Sequence, residues 1–130
     1  MNSNSVVLDA SAVIAVLNQE PGAERLTTNV LAHACCSSVN AAEVQGKLVG
    51  RGLDPDHAWH DVTAVVRQVF AFTADQAKNA GSLIAQTRTS GLSLGDRACL
   101  ALALDLHAPV YTADRSWKNL KLPVSIHVIR

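Results

Sequence analysis

The sequence has little that would hold a polyanion over a broad surface. Its 130 residues carry 11 Lys and Arg against 11 Asp and Glu, a formal net charge of zero, and aromatic residues amount to only 4%. Zero net charge excludes broad electrostatic attraction as the main way of binding nucleic acid, and so few rings argue against a platform that stacks many bases. Any polyanion must therefore be bound locally.

Paired cysteines and long hydrophobic runs are also missing. The three cysteines are odd in number and include the adjacent pair Cys35 and Cys36, a pattern that forms neither a disulfide framework nor a paired metal motif and suits a reducing compartment. The first five residues carry no positive side chain, and Asp9 interrupts the apolar stretch 6–17. We therefore expect no signal peptide and no membrane span, and a soluble cytoplasmic protein.

The chain does contain enough apolar material for one core. Hydrophobic residues make up 48% and charged residues 17%, which excludes a disordered chain and predicts one globular domain over 1–130. Short β-branched runs alternate with segments rich in Ala and Leu. Strands are predicted at 6–9, 34–37, 69–72, 110–112 and 125–129, and helices at 11–17, 23–31, 39–49, from 55 onwards, 73–89 and 93–106. This alternation predicts an α/β fold in which helices cover both faces of a mostly parallel sheet.

Four acidic residues occupy unusual places in this pattern. Two predicted strands lead into Asp9 and Asp114, which would then lie at the same edge of the sheet, where ligands of such folds bind. Glu43 lies in an otherwise apolar part of its helix, and Asp96 lies in the first turn of the most apolar helix. A carboxylate at the end of a buried strand is costly to desolvate unless it is compensated, and a divalent cation is one such partner.

Each acid also has a purely structural interpretation. Asp96 follows Ser93 at the spacing of a capping box, and Glu43 precedes Lys47 at the spacing of a surface ion pair. Asp9 and Asp114 could accept hydrogen bonds from the turns that follow them. Because four independent coincidences at one edge are less expected than one shared role, we favour an acidic site.

The surroundings of these acids resemble the four motifs of the PIN domain, most closely those of the VapC group of bacterial toxin ribonucleases. The motifs stand in the family's order and spacing, and they cover the chain from near its start to Trp117. They are VLDASA at 7–12, NAAEV at 40–44, LSLGDRACLA at 92–101 and YTADRSW at 111–117. The segment at 92–101 is the most specific of the four.

The resemblance implies a compact three-layer α/β/α sandwich in which the four acids converge in one negative pocket. In this family such a pocket binds Mg²⁺ or Mn²⁺ and hydrolyses phosphodiester bonds in RNA. Carried over to this sequence, Asp9 and Asp96 are expected as direct metal ligands, and Glu43 and Asp114 as ligands that reach the ion directly or through water. All-oxygen ligation suits such hard ions and leaves positions open for a phosphate.

Four neighbours of these acids are further candidates. Ser11 and Thr112 are placed to orient carboxylates or waters around the ion. Arg97 and Arg115 each directly follow a site aspartate, so either guanidinium could contact substrate phosphate. Pairing of these arginines with neighbouring acids in the fold is the alternative.

Likeness to VapC toxins further implies partners. These are a VapB-type antitoxin, a second copy of the chain in a homodimer, an RNA substrate that is typically transfer or ribosomal RNA, and operator DNA bound only through the antitoxin. The apolar stretch 12–31 is a candidate contact surface. No membrane partner is expected.

Other functions stay open at this point. A non-toxin PIN nuclease of RNA processing and a non-catalytic RNA-binding module would share much of the same sequence pattern. A Mg²⁺-binding phosphoacceptor signalling domain is also a small α/β protein, but it needs an acid adjacent to the first site aspartate and a lysine after the last strand. Asp9 has no acidic neighbour, and no lysine follows Ser125.

Overall fold

A single parallel sheet organises the protein. The computed structural model describes residues 4–130; residues 1–3, which belong to the predicted domain range and to the uncharged N-terminal stretch, lie outside the described residues. The strands are Val6–Leu8 (β1), Ala34–Ser37 (β2), Gln68–Phe70 (β3), Val110–Thr112 (β4) and Ile126–Val128 (β5). Within residues 4–130 they form one five-stranded sheet in the order β3-β2-β1-β4-β5 with all neighbours parallel, so the predicted sheet type is confirmed.

Helices connect the strands, and most begin at a polar cap that is visible in the sequence. They are Ala10–Asn18 (α1), Thr28–Leu31 (α2), Ser38–Gly50 (α3), Pro55–Val65 (α4), Ala74–Ser82 (α5), Ile84–Thr87 (α6) and Leu94–Leu106 (α7). The Asp54 carboxylate accepts from the His57 N–H ahead of Pro55, and Thr73 and Ser93 cap α5 and α7 in the same way. Among the described residues, no helix is long and apolar enough to cross a membrane.

Two predicted helices are broken in the structure. The segment 23–31 forms a 3-10 turn at Ala23–Arg25 and then α2, because the Thr27 hydroxyl accepts from the Val30 N–H and starts a new helix. The segment 73–89 divides at Leu83 into α5, α6 and a 3-10 turn at Arg88–Ser90. Side chains that bond to nearby backbone groups compete with helix propagation, which composition alone does not reveal.

The start of β3 is a third difference. Val66 and Val69 continue the apolar spacing of α4, but the helix ends at Val65. The Arg67 N–H instead donates to the carbonyl of Ala34, 2.8 Å away, and leads the chain into the sheet beside β2. A sheet bond to a residue far along the chain therefore overrides the local helical period.

Alternate strand residues pack into cores on opposite faces of the sheet. Leu8 and Cys36 pack with buried residues of α1, α3 and α4, whereas Val7, Cys35 and Val110 pack with α7 and its neighbours. This alternation follows from the two-residue period of a strand. The layers are thus helices, sheet and helices, and the predicted α/β/α sandwich is confirmed.

Candidate functional site at the carboxyl edge of the sheet

Two of the four acids follow neighbouring strands. β1 and β4 pair in parallel, with Val7 opposite Val110 and Leu8 opposite Tyr111. Asp9 comes directly after β1, and Asp114 comes two residues after the end of β4. Both acids therefore lie at the carboxyl edge of the sheet, as the strand pattern predicts.

Asp9 is the most buried of the four acids, with 3% of its surface exposed. Its Oδ1 accepts from the Ala12 N–H at 2.8 Å, which makes it the N-cap of α1. Its Oδ2 accepts from the Thr112 hydroxyl at 2.6 Å, and the Ser11 hydroxyl lies 2.7 and 2.9 Å from the two carboxylate oxygens. Both hydroxyl residues singled out in the sequence, Ser11 and Thr112, thus bond to this carboxylate.

The same hydroxyls join the ends of β1 and β4. Thr112 accepts from the Asp114 N–H at 3.0 Å while it donates to Asp9. Ser11 accepts from the Ala113 N–H at 2.9 Å, and its oxygen lies 3.3 Å from that of Thr112. A continuous hydrogen-bond network thus fixes the backbone between the two strand ends around the Asp9 carboxylate.

Burial raises the pKa of Asp9 from its ordinary 3.8 to about 6. Hydrogen bonds from Thr112, Ala12 and Ser11 oppose this change, and the negative charge of Asp96 adds to it. The helix α7 therefore starts close enough to β1 for these two carboxylates to repel each other. An excess of negative charge is present at this edge of the sheet.

Asp96 also has the structural role that its spacing suggests. Its Oδ2 accepts from the Ser93 N–H at 3.0 Å, and the Ser93 hydroxyl accepts from the Asp96 N–H at 3.1 Å. These two bonds are the predicted capping box. The half-buried Asp96 carboxylate thus stabilises the start of α7 and adds charge to the site at the same time.

Glu43 reaches the start of α7 from α3. Its Oε1 accepts from the side-chain amide of Asn40 at 2.9 Å, and the same amide donates to the Gly95 carbonyl at 3.0 Å. Both Glu43 oxygens lie so near Gly95 that a Cβ there would be 2.5 Å from each. Glu43 makes no ion pair with Lys47 among the described residues, so the alternative of a surface pair is wrong.

Asp114 is exposed and caps the 3-10 turn Arg115–Asn119. Its Oδ1 accepts from the N–H of Ser116 at 2.9 Å and from the hydroxyl of Ser116 at 2.8 Å. We expected all four carboxylates to converge in one pocket. Within residues 4–130, however, no three His, Cys, Asp or Glu side chains lie close enough to hold a metal as a group. Asp96 and Asp114 are held instead by the N–H groups at the starts of their own helical turns.

The donors at this edge nevertheless suit a hard divalent cation. Mg²⁺ keeps several waters and needs only one or two protein carboxylates, and it prefers oxygen ligands. Asp9 and Asp96 supply such a pair, and their mutual repulsion is what a cation would relieve. The Glu43 carboxylate lies against Gly95, one residue before Asp96, and the Asp114 N–H donates to the Thr112 hydroxyl that bonds to Asp9.

The two candidate arginines have different surroundings. The Arg97 guanidinium donates through Nη1 to the Ala80 carbonyl of α5 at 2.9 Å, and its Nε is buried with no partner among the described residues. This placement ties α7 to α5 and does not favour the predicted phosphate contact. Arg115 is exposed in the turn that follows Asp114, so its guanidinium is accessible to a ligand at this edge.

Two surface cavities lie at the opposite edge of the sheet. One, of about 410 Å³, is lined by Ala32 and Arg67, which precede β2 and β3. The other, of about 430 Å³, is lined by Pro109 and Ser125, which precede β4 and β5. Neither of these two cavities is lined by a predicted site residue.

Sequence reasoning missed two residues that contact the site. Asn40 and Gly95 lie 55 positions apart, and their contact depends on how α3 packs against α7. The only local signal is a buried asparagine one helical turn before Glu43 and a glycine just before Asp96. Neither feature identifies its partner without the fold.

The fold and this edge define an α/β/α protein in which Asp9 and Asp114 follow neighbouring parallel strands and the charge of Asp96 acts on Asp9. A sequence model of the PIN domain matches residues 6–122, and the chain belongs to this family. PIN-domain proteins are nucleases. Among proteins with curated descriptions, none matches the sequence significantly.

Solved structures with the same fold come from several bacteria. VapBC2 from Rickettsia felis, bound to a DNA fragment from its promoter, is 17% identical over 96% of this chain and 98% of that one, with a TM-score of 0.73. DNA-bound VapBC from Salmonella typhimurium is 19% identical over 97% and 98%, with a TM-score of 0.71. VapC20 from Mycobacterium tuberculosis, a toxin that cleaves the sarcin–ricin loop, is 21% identical over 85% and 91%, with a TM-score of 0.70. At these identities the likeness establishes the fold.

Proposed function

We propose that the chain is a divalent-metal-dependent endoribonuclease that acts as the toxin of a type II toxin–antitoxin system. The observation that carries this proposal is the burial of the Asp9 carboxylate at the carboxyl edge, where it accepts from the Thr112 hydroxyl. This burial raises the pKa of Asp9 to about 6. Membership of the PIN family supports nuclease activity. The VapC and VapBC structures of the same fold support the toxin assignment over a PIN nuclease of RNA processing.

Asp9 and Asp96 are the residues that would hold Mg²⁺ or Mn²⁺ directly. Glu43 and Asp114 would reach the ion directly or through water. When bound, such an ion supplies Lewis-acid polarisation of a phosphate oxygen and lowers the pKa of a coordinated water. These four acids make the catalytic set, and metal-assisted hydrolysis by water needs no covalent nucleophile from the chain.

The remaining candidate side chains position the Asp9 carboxylate or contact the substrate. Ser11 and Thr112 hold the Asp9 oxygens in one orientation through the hydrogen bonds at 2.6–2.9 Å. Arg115, exposed beside Asp114, is the better placed of the two arginines to contact the substrate phosphate. A contact from Arg97 stays a prediction, and its bond to Ala80 argues against it.

The substrate is RNA, for which transfer and ribosomal RNA are the first candidates. One solved structure of the same fold is a toxin that cleaves the sarcin–ricin loop, which supports a structured ribosomal target. The net charge of zero implies that only a few phosphates are neutralised by the protein. Recognition then depends on surface shape around the acidic edge.

The partners follow from the same assignment. We propose a VapB-type antitoxin, a homodimer of this chain and contact with operator DNA only through the antitoxin, all in the cytoplasm. VapBC assemblies on DNA among the structures of the same fold support the antitoxin and its operator role.

RNA cleavage by Asp96→Asn tests the assignment. We expect wild-type protein to cut a mixture of transfer and ribosomal RNA with Mg²⁺ or Mn²⁺ and to stop when a chelator is added. Asp96→Asn should lose cleavage by roughly a hundredfold or more, because the ion loses a charged ligand. Its amide oxygen can still accept from the Ser93 N–H and keep the capping box. The readout is RNA fragments on a gel.

Asp105→Asn is the matched control. Asp105 lies near the opposite end of α7, and its carboxylate accepts from Gln76. The control should cut at the wild-type rate. Wild-type cleavage by a folded Asp96→Asn variant would refute the metal assignment, and cleavage that persists in chelator would refute metal dependence.

A further inference from the structure

The side chain of Asn40 is buried between α3 and the start of α7. It is 1% exposed, and its Nδ2 donates to the Glu43 carboxylate at 2.9 Å and to the Gly95 carbonyl at 3.0 Å. Its Oδ1 is buried with no partner among the described residues. A buried polar atom without a partner is costly, so the orientation of this amide must be held by the two bonds that Nδ2 makes.

The opposite orientation of the Asn40 amide is excluded because both of its partners are hydrogen-bond acceptors. Turning it over would place Oδ1 against the Glu43 carboxylate and the Gly95 carbonyl, both of which are acceptors. The donor therefore faces Glu43 in the only arrangement that makes hydrogen bonds. Asn40 holds one oxygen of an exposed side chain that otherwise has several rotamers.

Gly95 limits Glu43 from the other side. A Cβ at this position would lie 2.5 Å from both Glu43 oxygens and 2.7 Å from the carbon that joins them. The absence of a side chain is thus what lets the Glu43 carboxylate lie against α7, one residue before Asp96. The helix itself does not need a glycine here, because Gly95 has no positive φ.

We propose that Asn40 and Gly95 form a clamp that holds the Glu43 carboxylate beside Asp96 and thereby sets the affinity of the acidic edge for a divalent cation. We call this pair the Glu43 clamp. It rests on the proposed metal-dependent function and adds two positioning residues to it. Holding a long side chain in place before the ion arrives reduces the conformational entropy that binding must remove.

Gly95→Ala tests the clamp without loss of the fold. The added methyl group must push the Glu43 carboxylate away, and this is a small cost because the displaced atoms are the end of a flexible side chain. Alanine also favours the helix more than glycine does. We expect Mn²⁺ affinity, measured by titration calorimetry, to fall by roughly tenfold or more while the melting temperature without metal stays equal or rises.

Gly81→Ala is the matched control, because a Cβ on this helical glycine of α5 would meet nothing within 4 Å. It should bind Mn²⁺ as the wild type does. If Gly95→Ala also binds Mn²⁺ as tightly as the wild type, the clamp is refuted.

Asn40→Ala tests the other half of the clamp. Removal of the amide should lower Mn²⁺ affinity to a similar extent, because Glu43 then regains its rotamers. Gln76→Ala is the control: its buried amide likewise donates to a carboxylate, that of Asp105, and has an unpartnered oxygen among the described residues. It should lose stability and keep its Mn²⁺ affinity.

A double-mutant cycle separates positioning from general damage. If Asn40 acts through Glu43, Asn40→Ala should cause no further loss of Mn²⁺ affinity in the Glu43→Gln background. Additive losses would refute action through Glu43. Should Asn40→Ala fail to fold, Gly95→Ala alone decides.

The wild type distinguishes the two proposals. If it neither binds Mn²⁺ nor cuts RNA, the proposed function is wrong and the clamp falls with it. If it does both and the clamp variants match their controls, only the clamp is wrong.

Discussion

Asp9 carries a free-energy cost when the acidic edge holds no cation. Its pKa of about 6 in the folded protein lies above the ordinary 3.8, so the folded state binds the proton more tightly than the unfolded chain does. Stability from this group is full below about pH 4 and is lost as the pH rises through about 6. Ionisation of Asp9 therefore lowers the free energy of unfolding by roughly 3 kcal/mol at neutral pH.

Asp9→Asn should remove this pH dependence. The amide cannot ionise, and the Ser11 and Thr112 hydroxyls can turn to accept from it. In chelator, we expect the variant to gain stability relative to the wild type by roughly 3 kcal/mol between pH 4 and pH 8. Urea unfolding across this pH range measures the difference. A difference that does not change with pH would show that Asp9 is not destabilised by ionisation.

Thr112 connects Asp9 to Asp114 and is fully buried. Thr112→Val keeps the shape but leaves one Asp9 oxygen and the Asp114 N–H each short of a bond, so we expect a loss of roughly 1–3 kcal/mol in stability. RNA cleavage should fall as well, and Thr112→Ser should restore both. Thr87→Val is the control, because the hydroxyl of buried Thr87 donates to the Leu83 carbonyl and has no hydrogen bond to the four acids among the described residues. Full activity of Thr112→Val would contradict the positioning role.

The helix α7 has two roles at one end. Its capping box satisfies N–H groups at the helix start, and the carboxylate of that box, Asp96, also raises the pKa of Asp9. Because the positive end of the helix dipole favours negative charge, the first turn of α7 is a favourable place for this carboxylate. The start of α7 therefore holds in place the carboxylate that we propose as a metal ligand.

The turn after α1 depends on a glycine that touches the C-terminal end of the sheet. Gly22 has φ of 96°, and a Cβ there would lie 2.3 Å from the Ile129 carbonyl oxygen. Gly22→Ala should therefore cost both the left-handed strain of roughly 1–2 kcal/mol and a backbone displacement of roughly 1–3 kcal/mol. Urea unfolding measures the loss.

Gly52→Ala separates the two costs. Gly52 has φ of 101°, and a Cβ there would meet nothing within 4 Å, so the control should show the strain alone. Equal losses in the two variants would mean that the contact between Gly22 and Ile129 contributes nothing.

For the whole molecule, binding of a divalent cation should raise stability. Mn²⁺ at about a hundred times its dissociation constant adds roughly 2.7 kcal/mol, which corresponds to an increase on the order of 10 °C in melting temperature for a domain of this size. The effect should be larger at pH 8 than at pH 5, because Asp9 must be ionised to bind. Asp9→Asn should lose most of the increase, and an equal increase in that variant would place the cation elsewhere.

The accuracy of the sequence predictions depended on how local the stabilising bonds are. The predicted helix 93–106 agrees with Leu94–Leu106, and the predicted strand 34–37 agrees with Ala34–Ser37. The capping pair Ser93 and Asp96, three residues apart, specifies the start of the helix. A short apolar run between polar breaks specifies the strand. The break at Leu83 was missed because the segment around it keeps helical composition throughout.

The sequence predicts those features that depend on neighbours within a few residues. They are the order of strands and helices, the helix starts and the presence of acids at strand ends. The bonds that assemble the site connect residues far apart: Thr112 to Asp9 spans 103 positions and Asn40 to Gly95 spans 55. Such contacts form because β1 pairs with β4 and α3 packs on α7, and local preferences carry no information about them. The same packing turned Arg97 toward Ala80, because a side chain takes the nearest unpaired partner that the assembled fold presents.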